Sequence, residues 1–169
     1  RSLRVENRRV VADVVQAGAG DAMCCPGELA SRRWELAGSS LRELPVSGPT
    51  SRLSLDAIGG TTWVLRSWDL EETAPVAPEI TLQYTDGRFS GVSGCNNYFA
   101  AVKPGRAPGD VTVSPPAGTR KACAEDQMAI EQRFLQLIGH VQKHGFMLGQ
   151  LALTYQDEGR FGVMLFERK

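Results

Sequence analysis

The sequence has no surplus of either charge, since its 19 basic and 19 acidic residues give a formal net charge of zero. A balanced chain of this kind has no broad electrostatic attraction to nucleic acid or to an anionic membrane surface. It also lacks any apolar run near the roughly 20 residues that a membrane-spanning helix requires. We therefore expect no nucleic-acid partner and no transmembrane segment in this chain.

The residue patterns of common active sites are also missing. No two cysteines have the CxxC spacing of a zinc site, and Ser93 lacks the GxSxG context of a hydrolase nucleophile. The two histidines, His140 and His144, are four residues apart, a spacing that can hold a metal on a helix. No third ligand is apparent, so we interpret them as exposed residues at a fraying helix end. The sequence thus predicts no catalytic residue, no metal and no cofactor, and we expect the protein not to be an enzyme.

What is present is a succession of short β patterns. Residues 2–16 predict two strands around a turn, and residues 30–37 predict another, so we assign residues 1–45 to a partial N-terminal β segment. Residues 46–59 are dense in Pro, Gly and Ser and predict a linker, with a short helical turn at its end. A domain of residues 60–169 follows.

That domain is predicted to be β-rich with one helix. Apolar residues alternate along 80–84, Asp86-Gly87 marks a hairpin turn, and Thr119–Cys123 is a further strand candidate. Glu125–Gln142 has apolar residues at helical spacing and acidic residues at its start. We expect an α+β fold in which seven or eight antiparallel strands form a curled, barrel-like sheet, packed with one helix in the C-terminal half.

Four segments together resemble the META/HslJ-like family over about residues 60–169. They are DGRFSGVSGCNNYFA (Asp86–Ala100), TRKAC (Thr119–Cys123), EQRFLQLI (Glu131–Ile138) and LALTYQDEGRFGVMLFER (Leu151–Arg168). The family motif within them comprises Gly94, Cys95, Asn96, Thr119, Arg120 and Cys123. The segment DAMCCP, with the strand that ends in Trp34-Glu35-Leu36, resembles the tail of a module found beside META domains in bacterial lipoproteins.

The resemblance implies a domain of the bacterial cell envelope, on the periplasmic or extracellular side, that is secreted or lipid-anchored. It also implies a loose link to heat shock and other stress responses, and it supplies no catalytic residues to carry over. The chain begins at Arg1 without an apolar leader. We therefore leave open whether a lipid anchor precedes it.

The four cysteines leave alternatives open. Cys95 and Cys123 form a structural disulfide, remain as two reduced neighbours, or act as a redox pair; a disulfide is our preferred interpretation. Cys24 and Cys25 are uncertain thiols, because a bond between adjacent residues is strained, and a structural role competes with metal binding or thiol exchange. The neighbouring Asn96 predicts a tight, internally bonded bend.

Three functional hypotheses follow. The first is a non-enzymatic envelope domain that binds or scaffolds another protein or a cell-wall component. The second is a barrel that holds a small apolar ligand in its interior, which requires a pocket of roughly 300 Å³ or more. The third is a hydrolase or thiol oxidoreductase, which requires titratable residues that converge in a cleft.

Overall fold

The computed structural model describes residues 2–22, 26–45 and 48–169 of the chain. It divides into two compact units, Arg1–Leu53 and Ser54–Lys169, and the boundary falls inside the predicted linker. Cys24 and Cys25 lie outside the described residues. None of the helices in the described ranges is long and apolar enough to cross a membrane.

In its described residues, the first unit is an antiparallel sheet of five strands. In chain order they are β1 (Ser2–Glu6), β2 (Arg9–Gln16), β3 (Glu28–Ala37), β4 (Ser40–Glu43) and β5 (Ser51–Arg52). The first four lie side by side in sequence order, and β5 pairs with β3. Asn7 and Arg8 have φ angles of 50° and 62°, the left-handed geometry of a two-residue hairpin turn between β1 and β2.

The second unit begins with a short 3-10 helix, Leu55–Ile58, and contains ten strands and one α-helix. The strands are β6 (Trp63–Asp69), β7 (Glu72–Thr73), β8 (Thr81–Thr85), β9 (Arg88–Val92), β10 (Asn97–Pro104), β11 (Val111–Val113), β12 (Ala117–Gly118), β13 (Val141–Met147), β14 (Gln150–Asp157) and β15 (Arg160–Arg168). The helix α1 spans Glu125–Gly139. The predicted β-rich fold with a single late helix is confirmed.

The strands of this unit form one antiparallel sheet that is nearly closed into a barrel. Its order is β11-β10-β9-β8-β6-β15-β14-β13, with the short β12 and β7 at the sides. The two end strands meet where Asp110 and Lys143 form a bridge. We call this meeting line of β11 and β13 the seam. The backbone N–H of His144 also donates to the carbonyl of Gly109 across it, at 2.8 Å.

The barrel interior is filled with side chains. Fully buried aromatic residues come from several strands and from the helix, and they pack with aliphatic residues in one cluster that includes Trp63, Phe89, Phe134, Leu153 and Phe166. The Tyr98 and Phe134 rings meet edge to face at 5.0 Å between centroids, which joins β10 to α1. A ligand inside the barrel would have to displace these side chains.

Two local predictions were wrong. The helix ends at Gly139 rather than Gln142, because the chain enters strand β13 at Val141 and the sheet hydrogen bonds take over. Residues 119–123 are not a strand, since they lie along the Gly94–Asn96 bend and bond to its side chains; the short strand β12 precedes them.

The interpretation of the two histidines as exposed helix-end residues fails for His144. Its side chain is 3% exposed and lies in β13, while His140 caps the helix with an exposed ring. The Nδ1 atom of His144 is 2.9 Å from the carbonyl oxygen of Gly109, and within the part of the chain that the structure describes its Nε2 atom has no hydrogen-bond partner. Burial lowers the pKa of His144, while the nearby Ser54 and Gly109 carbonyls raise it by less.

Candidate functional site

Three of the family motif residues, Gly94, Cys95 and Asn96, form a bend between β9 and β10. Gly94 has a φ of 119°, a backbone conformation that residues with a side chain rarely adopt. This angle favours glycine at the position. The backbone N–H of Ser93 donates to the carbonyl of Asn96 at 2.8 Å, which closes the bend. The predicted tight, internally bonded turn is present in the structure.

Asn96 connects this bend to the segment before the helix. Its Oδ1 accepts hydrogen bonds from the Thr119 hydroxyl and the Lys121 backbone N–H, both at 2.7 Å. Its Nδ2 donates to the Lys121 carbonyl at 3.2 Å and to Glu131 Oε1 at 2.9 Å. An amide side chain has two donors and two acceptor positions, so this buried Asn96 is fully satisfied. A substitution would leave partners unpaired on both segments.

Glu131 is the residue at this site that the sequence did not reveal. It lies in α1 and is 6% exposed. Its Oε2 accepts the backbone N–H of Asn96 at 2.7 Å and lies 2.6 Å from the Ser93 hydroxyl. The signal was available: Glu131 stands three residues before Phe134 and seven before Ile138, on the buried face of the helix.

The environment of Glu131 keeps its carboxylate ionised. Burial raises its pKa, but hydrogen bonds from Ser93, from the Asn96 side chain and from backbone N–H groups outweigh burial and lower the pKa below its ordinary value. A carboxylate that accepts several donors in this way fastens the helix to the bend. The geometry is that of a structural anchor.

A disulfide joins the same two segments. Cys95 and Cys123 are bonded; their Cα atoms are 6.2 Å apart, and the two residues are separated by 28 positions in sequence. In the chain-entropy treatment, closing such a loop stabilises the fold by about 3–4 kcal/mol. Gly94, Cys95, Asn96, Thr119 and Cys123 thus come together, whereas Arg120 is exposed at the surface.

Two acidic residues near turns of the barrel have specific partners. Glu72 receives two bonds of 2.6 Å from the guanidinium of Arg133, which also stacks on Trp68 at 4.6 Å and lowers the pKa of Glu72. Asp157 accepts a bond from Gln136 at 2.7 Å and lies 3.4 Å from His140. Among the described residues, no group of three or more His, Cys, Asp or Glu side chains is placed to hold a metal ion.

A surface groove lies beside the seam. Its volume is about 720 Å³, and its lining comes from β11, from the end of α1 and from β13, β14 and the start of β15. This volume falls within the range of pockets that bind small ligands. Phe161 stands at its edge and is 70% exposed. We call this feature the seam groove.

Comparisons with known proteins agree on the fold. The family model of the META domain matches residues 56–167. An NMR structure of a protein from Burkholderia xenovorans is similar, with a TM-score of 0.53 and 22% sequence identity, over 75% of this chain and 99% of that chain. No curated protein matches the sequence. At this identity the solved structure supports the fold alone, but the family model spans well over half of the residues, and the chain therefore belongs to the META domain family.

Proposed function

We propose that this protein is a non-catalytic binding module that works in the oxidising space of the bacterial cell envelope. The Cys95–Cys123 disulfide is the observation that carries the proposal. Disulfides form and persist in exported proteins and are rare where thiols are kept reduced. The family resemblance favours the same compartment, with or without a lipid anchor, and favours a contribution to envelope stress responses.

The polar groups of the barrel support a binding rather than a catalytic role. The Ser93 hydroxyl donates a hydrogen bond to the Glu131 carboxylate beside the Gly94–Asn96 bend, and the two motif cysteines form a disulfide with each other. A nucleophile needs a free hydroxyl or thiolate beside a base. In this arrangement the hydroxyl, the carboxylate and the two thiols already stabilise the fold, so we assign the binding function to the outer surface.

Protease accessibility tests the compartment. The gene with its native upstream sequence is expressed, and intact spheroplasts are treated with protease. We expect the chain to be degraded at the same concentration that spares a cytoplasmic marker. Protection of the chain until the inner membrane is lysed would contradict the envelope proposal.

A further inference from the structure

The seam groove has a flat polar platform on its outer side. Gln156 on β14 lies directly opposite Phe161 on β15, and Thr154 lies two residues before Gln156 on the same face of the sheet. Gln142 reaches this face as well, since its Nε2 donates to Gln156 Oε1 at 3.3 Å. An aromatic ring, two amides and a hydroxyl therefore stand side by side on one surface.

The charges around the groove offset each other. Apart from His140, the ionisable residues that line it in the described part of the chain are Asp110 and Lys143, whose side chains lie 3.4 Å apart. A groove in which opposite charges are already paired offers little attraction to a strongly anionic or cationic ligand. The groove is therefore better suited to a neutral ligand than to a charged one.

From this platform we infer that the seam groove binds a neutral oligosaccharide. A sugar ring has an apolar face that can stack on Phe161, and its hydroxyl groups both donate and accept hydrogen bonds. Gln142, Gln156 and Thr154 offer both donors and acceptors in the same plane. The inference rests on the proposed binding function and specifies its ligand class.

An extended peptide fits the site less well. Strand addition needs a free strand edge of several residues. At the seam β11 has three residues, and the Asp110–Lys143 bridge lies immediately before it. A bulge at Gln142 interrupts the facing strand. These features leave a strand edge that is too short and irregular for an added peptide strand. The accessible surface of the groove is formed mainly by side chains.

Titration by NMR tests the inference on the full chain. Chitotetraose, cellotetraose and maltotetraose are added separately to about 10 mM, a range that detects millimolar dissociation constants. We expect saturable shifts for at least one sugar, confined to amides of 140–143, 154–156 and 161. Phe161→Ala should weaken that binding about tenfold, the scale of one lost aromatic contact. Gln156→Ala should weaken it by a smaller factor.

Phe99→Ala is the matched control. Phe99 is 48% exposed on β10 and does not line the groove, so its loss should leave the affinity unchanged. No saturable shift with any of the three sugars overturns the inference, as does an equal loss in the Phe99 variant. Shifts of the groove amides with tetra-alanine but with none of the sugars would also overturn it. The proposal that the protein is a binding module would survive that result. The compartment is tested separately by protease accessibility, so the two proposals fail independently.

Discussion

In the N-terminal unit, the buried hydrophobic side chains of the described residues are Val11, Ala30 and Leu53, whereas the barrel encloses a core that includes Trp63 and Phe134. Both units are antiparallel sheets. The difference is that the N-terminal sheet is a single open layer, on which Leu3 and Val5 remain 74% and 75% exposed. Closing a sheet and adding a helix creates an interior, and an open sheet of 53 residues has little.

The sharpest test of this difference is a pair of side-chain substitutions, one in each unit. Phe134→Ala removes a fully buried ring from the barrel core, and we expect it to lower the free energy of unfolding by about 3–5 kcal/mol. Leu3→Ala removes an exposed side chain from the open sheet and should change it by less than about 0.5 kcal/mol. Urea unfolding followed by circular dichroism measures both. Similar losses in the two variants would contradict the contrast between the units.

The disulfide gives the next largest effect. Replacing Cys95 and Cys123 together by alanine should lower the free energy of unfolding by about 3 kcal/mol, because the unfolded chain regains the freedom of the closed loop. Adding reductant to the unaltered protein should give a similar loss, measured by the same urea unfolding. A double variant as stable as the original protein would mean that the bond adds nothing to the hydrogen bonds of Asn96 and Glu131.

Glu131→Gln tests the carboxylate anchor. The amide places a donor where the carboxylate accepts, so we expect a loss of about 1–3 kcal/mol at neutral pH. Because the folded pKa of Glu131 is lowered, its stabilisation is present at neutral pH and disappears as the pH falls through that pKa. The two proteins should therefore converge in acid. Glu71→Gln, at an exposed turn, is the control and should have almost no effect.

The N-terminal sheet has its own carboxylate, Asp13, held by Ser2, Ser31 and Arg4. Burial raises its pKa, but these hydrogen bonds outweigh it and give a pKa of about 2. Asp13→Asn should reduce stability by about 1 kcal/mol at pH 7, since partial exposure weakens the pair with Arg4. Thermal unfolding should show the difference shrinking from pH 4 toward pH 2. A difference that persists unchanged at pH 2 would mean that the charge is not responsible.

The smallest effect concerns the turn between β1 and β2. Arg8 has a φ of 62°, a conformation that costs a residue with a side chain more than glycine. Arg8→Gly should raise the stability by about 0.5 kcal/mol, measured by thermal unfolding. Arg9→Gly, one position later at the first residue of strand β2, should lower it instead, because glycine is disfavoured in strands. Equal effects of the two variants would contradict the turn assignment.

The sequence predicted the features that depend on neighbouring residues. Alternation along residues 80–84 and the Asp86-Gly87 turn indicated the β8–β9 hairpin, and the apolar spacing around Phe134 indicated α1. The strand β13 was missed because Val141, Gln142 and Lys143 also continue the helical pattern. Only pairing with the neighbouring strand β14 determines that this segment is a strand and not a helix. The partners of Glu131 lie 35 to 38 residues away, so topology alone brings them together.

The most direct test of the envelope proposal is a non-reducing peptide map by mass spectrometry of protein purified from its native compartment, with free thiols alkylated at lysis. The account predicts a peptide pair crosslinked through Cys95 and Cys123, with neither residue alkylated. Free, alkylated Cys95 and Cys123 would contradict the disulfide. They would also remove the principal support for a function in an oxidising compartment.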